Sequence, residues 1–149
     1  MVTPVSTPLA QDVTQLIGFQ LLTLSNRIGL KAEKQSRLHV GLSLPEYRVL
    51  TLVCSQSKVS VTCVCSLLTI DKAWVSRTLT KLMRRELVSV NKDSSDARRT
   101  VYTPTAAGLD ACQRLIALAQ QRQTELFKGF SEQEKTQLVG MIERMRQNL

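Results

Sequence analysis

A capped amphipathic helix is predicted between Ile70 and Glu86, and this stretch constrains the fold most. Asp71 is a favourable N-cap residue, and its charge suits the positive end of the helix dipole. Apolar residues recur at i, i+4, i+7 and i+8 and form one stripe that must dock onto a body: Val75, Leu79, Leu82 and Met83. The opposite face is basic and hydroxyl-bearing, with Lys72, Ala73, Trp74, Ser76, Arg77, Thr80, Lys81 and Arg84. A solvated surface helix has the same pattern, so the flanking sequence decides between them.

A second short helix is predicted upstream, from Ser60 to Thr69. Ser60 is its N-cap, and its buried side consists of Val61, Val64, Leu67 and Leu68. Only Ile70 and Asp71 separate the two helices. This spacing is typical of a helix-turn-helix, in which the second helix enters the major groove of DNA.

A β-hairpin is predicted directly downstream, because residues 87–91 and 99–103 alternate and the residues between them are polar and turn-forming. A hairpin in this position is a wing. Arg98 and Arg99 lie near its tip, where they reach the DNA backbone or the narrow minor groove. Asp96 is predicted to orient an arginine by a charge-assisted hydrogen bond.

Several short motifs in this order and spacing resemble the MarR family of winged helix-turn-helix transcriptional regulators. They are Leu67-Leu68-Thr69-Ile70-Asp71, Val75-Ser76-Arg77, the stretch from Leu82 to Val88, Asp96-Ala97-Arg98-Arg99 and Thr105-Ala106-Ala107-Gly108. The resemblance runs from about Leu16 to the C-terminus. It implies a repressor that releases DNA when a small aromatic or phenolic ligand enters a pocket between the dimer helices and the winged helix. Phe19, Leu22 and Tyr47 are the pocket candidates, and a place in the core is the alternative for each.

The resemblance also implies a homodimer, whose two recognition helices would bind a pseudo-palindrome with half-sites about 10 bp apart on double-stranded DNA. Ser76, Arg77 and Lys81 are the first candidates for the major groove, followed by Lys72 and Thr80. Arg77 or Lys81 is expected to read guanine O6 and N7, and Ser76 to bond a phosphate or either base. Trp74 either contacts a sugar or a thymine methyl group or packs against the hairpin.

Regions flanking the winged helix are predicted to be helical. Residues 1–9 read as an extended arm, and a helix from about Ala10 to Ser36 begins the dimerisation region, 10–41. Its stripe is Leu16, Ile17, Leu21, Leu24 and Ile28. A capping box at Ser43 opens the DNA-binding domain, 42–104. Two helices follow in the C-terminal dimerisation region, 105–149. The apolar stripe of the first consists of Leu109, Cys112, Leu115, Ile116 and Ala119, and that of the second of Leu138, Met141, Ile142 and Met145. A buried first helix and a monomeric three-helix subdomain are the alternatives.

The charge balance predicts a polyanionic partner, since the formal net charge is +8 and the pI is about 9.7. No membrane-length apolar run or signal peptide is present, which predicts a cytoplasmic protein. A basic membrane-surface protein is an alternative, but the helix from Trp74 to Arg85 fits it only in part and needs its apolar stripe for docking onto the body, so no membrane partner is predicted. With one histidine, His39, and no glycine-rich phosphate loop or nucleophile elbow, the sequence predicts no enzyme and no cofactor. A sequence-independent architectural DNA-binding protein is the alternative that fits the same charge.

Four cysteines lack the spacing of a metal site, so no metal is predicted: Cys54, Cys63, Cys65 and Cys112. Reduced thiols are the simplest interpretation. Cys63 carries a second hypothesis, redox sensing, because it would be the third residue of its helix, where the dipole lowers the pKa of a thiol. Members of the MarR family that sense peroxides use a cysteine in the first helix, and the first helix here has none.

Overall fold

The computed structural model describes residues 12–96 and 98–149, so the arm predicted for residues 1–9 lies outside it, as does Ala97. A short 3-10 turn at Val13–Gln15 precedes the first helix. The order is α1 (Ile17–Val40), α2 (Leu44–Gln56), α3 (Val61–Leu68), α4 (Lys72–Arg84), β1 (Val88–Lys92), β2 (Thr100–Pro104), α5 (Ala106–Leu126) and α6 (Glu132–Gln147). The prediction of a mainly helical fold with one β-hairpin is confirmed.

Helices after α1 begin where short polar side chains satisfy free backbone N–H groups. The side chains of Ser60, Asp71 and Thr105 accept from the backbone of Cys63 (3.2 Å), Trp74 (2.9 Å) and Gly108 (3.0 Å). Capping boxes open α2 at Ser43 and α6 at Ser131. The N-caps predicted at Ser43, Ser60 and Asp71 are therefore confirmed.

The first helix begins later and ends later than predicted, because it runs from Ile17 to Val40. Its last turns consist mostly of good helix formers, so the charged stretch continues the helix. Gly41 ends it in the left-handed region, with φ 71°, and donates its N–H to the Arg37 carbonyl at 3.1 Å. Arg85 closes the corner by donating to the Gly41 carbonyl at 2.8 Å.

The two strands form an antiparallel hairpin in which Val88 pairs with Pro104 and Lys92 with Thr100. An isolated bridge between Val59 and Tyr102 adds the loop after α2 to the edge of the hairpin. The predicted wing is therefore attached to the helix-turn-helix on both sides.

The hydrophobic core lies around α2 and draws on each element of the winged helix. Its fully buried side chains include Leu42, Val49, Leu50, Val53, Val64, Val75, Leu79, Leu82 and Leu115. Leu67, which is predicted to be buried, is instead 54% exposed; Leu109 (46%) and Ile116 (47%), from the predicted dimerisation stripe of α5, are also exposed in the chain. Each stands at the edge of its helix's apolar stripe, and the neighbouring helices cover only the centre of that stripe.

Apolar side chains of α1 and α6 are exposed in the chain. The predicted α1 stripe is 37–71% exposed, so the interpretation of α1 as buried within one chain is wrong. Small residues of α1 pack inward instead: Gly29, Ala32 and Ser36. No residue of α6 is buried. Across the described residues, no helix has the length and apolarity needed to span a membrane.

Candidate nucleic-acid interface

The second helix of the helix-turn-helix, α4, presents one basic face to solvent. Its apolar stripe is anchored in the core by Val75, Leu79 and Leu82, each 0% exposed. This anchoring fixes the rotation of the helix about its axis. The outward residues are Lys72, Ala73, Arg77, Lys81 and Arg84, and all are exposed.

The cations on this face have no acidic partner in the part of the chain that the structure describes. Residues 72–84 contain no Asp or Glu. Within the described residues, none of the cations on α4 or in the wing lies within 4.0 Å of a carboxylate. By contrast Arg85, the next residue, is committed to Glu46 Oε1 at 3.4 Å and to the end of α1. The outward face of α4 thus retains its charge for an external anion.

The hydroxyl and aromatic residues of this face are only partly available. Trp74 is half-buried and packs against the hydrophobic core, and its predicted packing against the hairpin stays a prediction. Thr80 donates its hydroxyl to the Ser76 carbonyl at 2.9 Å, and Ser76 itself is half-buried. Contacts of these three residues with DNA stay predictions, and the exposed Arg77 and Lys81 are better placed.

The wing carries Arg98 and Arg99 on its exposed tip. Asp96 Oδ1 accepts from the backbone N–H of Arg98 at 3.0 Å, and the Asp96 carbonyl accepts from Arg99 N–H at 2.9 Å. The predicted bond to an arginine side chain is thus replaced by one to the backbone. The reason is local, since an aspartate two residues upstream closes an Asx turn most easily.

An apolar cleft of about 550 Å³ lies between α1, the start of α2, α5 and α6. Arginine is the only charged residue type among its lining side chains, which include Arg48, Arg122 and Arg146. The apolar lining comes mainly from α1 and α6 and includes Leu21, Leu24, Ile28, Ile142 and Met145. An apolar cleft with cationic groups is suited to a small aromatic anion.

Arg122 is held in the cleft by three contacts. Its guanidinium donates to Gln35 Oε1 at 2.7 Å and to the Tyr47 hydroxyl at 2.9 Å. It also lies 5.5 Å from the centre of the Tyr47 ring. The contacts orient the guanidinium and leave its charge uncompensated by a carboxylate in the described residues.

Of the predicted pocket residues, the structure brings only Tyr47 to this cleft. Phe19 and Leu22 lie on the exposed apolar surface of α1, 36% and 59% exposed. Arg122 is not among the predicted pocket residues, and it is 75 residues from Tyr47 in the chain. No local motif marks it, because its partners come from α1 and α2.

The cysteines are free thiols. Cys63 is half-buried in the first turn of α3 and packs against the core, and its proposed redox role stays a prediction. Cys54 donates to the Gly108 carbonyl at 3.7 Å. Burial, with the adjacent Cys112 thiol, raises the pKa of Cys54 to about 12, so this thiol is protonated at neutral pH. In the described parts of the chain, no three His, Cys, Asp or Glu residues form a group able to hold a metal ion.

Comparisons with known proteins agree with this geometry. Residues 42–100 match the model of the MarR family, so the resemblance predicted from the sequence is confirmed. No curated protein matches the chain.

Solved structures share the fold over nearly the whole chain. A MarR/EmrR family transcriptional regulator from Acinetobacter sp. ADP1 is 28% identical, with a TM-score of 0.85 over 93% of this chain and 97% of that chain. BpsR from Bordetella bronchiseptica, whose DNA binding is regulated by 6-hydroxynicotinic acid, is 23% identical, with a TM-score of 0.78 over 91% and 96%. A mutant MarR from E. coli, solved in complex with operator DNA, is 16% identical, with a TM-score of 0.78 over 91% and 99%. The predicted winged-helix fold is confirmed.

Proposed function

We propose that this chain, which matches the MarR family over residues 42–100, is a transcriptional regulator that binds double-stranded DNA in a sequence-specific manner. The observation that carries the proposal is the outward face of α4, whose Arg77 and Lys81 are exposed, rigidly presented and free of carboxylate partners in the described residues. Arginine or lysine in this position reads guanine O6 and N7 in the major groove. The wing arginines supply backbone or minor-groove contacts.

The test is a fluorescence anisotropy titration with the intergenic DNA that flanks the gene of this protein. Excess unrelated DNA and about 150 mM salt remove nonspecific binding. We expect saturation at nanomolar protein that survives the competitor. Micromolar binding that disappears with competitor would support the alternative, a sequence-independent architectural protein.

A homodimer is the second part of the proposal, with the DNA-binding domain at 42–104 and dimerisation regions at 10–41 and 105–149. Exposed apolar side chains are concentrated on the N-terminal half of α1 and on α6, among them Ile17 (71%), Leu22 (59%), Val139 (66%) and Met141 (55%). Exposed apolar side chains in this number are unfavourable in water unless a partner covers them. The same set of helices from a second chain provides a matching surface and places two α4 helices about a two-fold axis.

Met141→Glu is expected to turn the dimer into a monomer at micromolar concentration, because an unpaired carboxylate in an apolar interface is costly. Sedimentation velocity measures the change against twice the chain mass of 16.7 kDa. Leu67→Glu is the matched control, since Leu67 is 54% exposed on α3, outside both proposed dimerisation regions. An unchanged dimer in the Met141 variant would contradict the assignment of α6 to the interface.

Repression with release by a small aromatic or phenolic acid is the third part. The cleft beside Arg122 borders α1, α2, α5 and α6, so a ligand there contacts both proposed regions of the protein. The two recognition helices of a dimer must match the spacing of the DNA half-sites. A ligand that binds more tightly to a dimer with a different spacing therefore lowers the affinity for DNA by linkage. The regulation of BpsR by 6-hydroxynicotinic acid supports an aromatic acid as the chemical class.

Arg122→Met is expected to raise the concentration of 6-hydroxynicotinic acid needed for half-release of DNA by at least about tenfold. The reason is the lost charge-assisted hydrogen bond to the carboxylate, worth about 1.5–3 kcal/mol. The readout is the anisotropy of the DNA complex during titration with the acid.

Two controls sharpen the Arg122 experiment. Arg114→Met removes a charge from the same helix outside the cleft, where Arg114 pairs with Asp110 at 2.6 Å. The uncharged 6-hydroxynicotinamide should not release DNA from the unchanged protein. Equal release of the unchanged and Arg122 proteins by the acid would contradict the site, and equal potency of acid and amide would contradict the anionic class.

A further inference from the structure

Lys58 makes an ion pair that links the helix-turn-helix to the wing. It lies in the loop between α2 and α3, and its Nζ is 3.0 Å from Oδ1 of Asp93, 35 residues away. Asp93 is the first residue after β1 and its side chain is only 9% exposed, whereas that of Lys58 is 43% exposed. Neither residue belongs to the predicted DNA-binding set.

Asp93 is also the centre of the wing loop. Asp93 Oδ1, which pairs with Lys58, also accepts hydrogen bonds from the backbone N–H of Ser95 at 2.9 Å and from the Ser95 hydroxyl at 2.7 Å. The N–H of Asp93 donates to the Arg99 carbonyl at 2.9 Å. The bonds from Ser95, with the ammonium of Lys58, hold the pKa of Asp93 well below its usual range. The loop that carries the arginines is therefore organised around a charged carboxylate at neutral pH.

The backbone around Lys58 is fixed on both sides. Ser57 ends α2 in the left-handed region, with φ 60°. Val59 exchanges two backbone hydrogen bonds with Tyr102 of β2, at 3.0 and 2.8 Å, and Ser60 caps α3. The ammonium of Lys58 thus extends a rigid connection from the helix-turn-helix to the base of the wing loop.

We propose that Lys58 is a positioning residue of the DNA interface, whose ion pair with Asp93 sets the position of Arg98 and Arg99 relative to α4. The inference rests on the proposed function. The physical reason is geometric, because α4 and the wing contact the same DNA duplex. A displaced wing therefore loses contacts with phosphates or with a groove. Lys58 itself is committed to Asp93 and does not need to touch DNA.

The experiment compares affinities for a duplex that the unchanged protein selects from a random-sequence library. Lys58→Met and Asp93→Asn are made singly, together, and each in a protein that also carries Arg98→Ala and Arg99→Ala. Met keeps the length of the side chain, and Asn keeps an acceptor for Ser95 while it removes the charge. We expect each single change to weaken binding about three- to fivefold, as for a partly exposed ion pair.

The expected signature is non-additivity. The double variant should bind as well as either single variant, because both remove the same interaction. Without the wing arginines, neither change should weaken binding further. Lys58→Arg, which preserves the ion pair, should restore affinity to within about twofold of the unchanged protein. Circular dichroism spectra and unfolding midpoints exclude loss of the fold as the cause.

The opposite result has its own signature. If Lys58 contacts a phosphate, Lys58→Met lowers the salt slope by about one unit even without the wing arginines, and Asp93→Asn leaves binding unchanged or tighter. That outcome would overturn the proposal. So would single variants whose affinity for the duplex is within twofold of that of the unchanged protein.

Failure of the proposed function is separately visible, since the unchanged protein would then select no duplex. Hydrogen exchange of the Ser95 and Asp93 amides decides the structural part without DNA. We expect faster exchange in Lys58→Met, and unchanged exchange would refute the positioning role.

Discussion

Gly108→Ala is expected to destabilise the protein by about 3 kcal/mol, as severe overpacking does. A Cβ on Gly108 would lie 2.0 Å from the carbonyl oxygen of Leu87 and 3.0 Å from its carbon. Both belong to the backbone, so no side-chain rotation relieves the contact. The chain cannot shift freely either, because Thr105 N–H donates to the same oxygen at 3.2 Å and Thr105 Oγ1 donates to the Glu86 carbonyl.

Urea and thermal unfolding of the two proteins measure this effect, and we expect a fall in the midpoint of about 10 °C. Gly18→Ala is the matched control, because a Cβ on Gly18 meets nothing within 4 Å among the residues that the structure describes. As a helical glycine, Gly18 should gain up to about 1 kcal/mol from the change. A Gly108 variant as stable as the unchanged protein would mean that α5 does not approach the start of the hairpin this closely.

Arg77→Ala is expected to weaken binding to the selected duplex by about 2 kcal/mol, or roughly thirtyfold. Arg77 is exposed in the middle of α4, and the buried residues on the other face fix its direction. A guanidinium that reads a guanine contributes little to unrelated DNA. We therefore expect a much smaller loss on unrelated DNA, and the ratio of the two affinities is the measurement.

Arg114→Ala is the control for net charge, since it removes one cation from an exposed position of α5. Arg77→Lys should recover part of the affinity but less of the selectivity, because lysine lacks the bidentate fork. If Arg77→Ala weakened binding to selected and unrelated DNA equally, Arg77 would be a phosphate contact and the base-reading role would pass to other residues of α4.

The recognition helix and its neighbours could be predicted because their signals are local. Asp71 and Ser60 cap α4 and α3 as expected, since an N-cap bond spans only three residues. The stripe of Val75, Leu79 and Leu82 is buried as its spacing predicts. Exposure of Arg77 on the opposite side then follows from the helical period alone.

The candidate ligand cleft could be predicted only in part. Tyr47 lies in a helix that the sequence predicts, but its partner Arg122 comes from α5, and Gln35, the other partner of Arg122, comes from α1. Phe19 is as apolar as a pocket residue but lies on the outer side of α1. Composition and periodicity cannot separate these cases, because both residues satisfy the same helical pattern.

Local spacing predicts where most helices begin, which face of α4 is basic and that a wing follows it, since these features depend on residues within a few positions of each other. Which apolar stripes are covered depends on the packing of the helices, which leaves Leu109 and most of α6 exposed. Packing also brings Lys58 to Asp93 and Arg122 to Tyr47. Such pairs form between distant parts of the chain, so their partners depend on how the helices pack and not on local spacing.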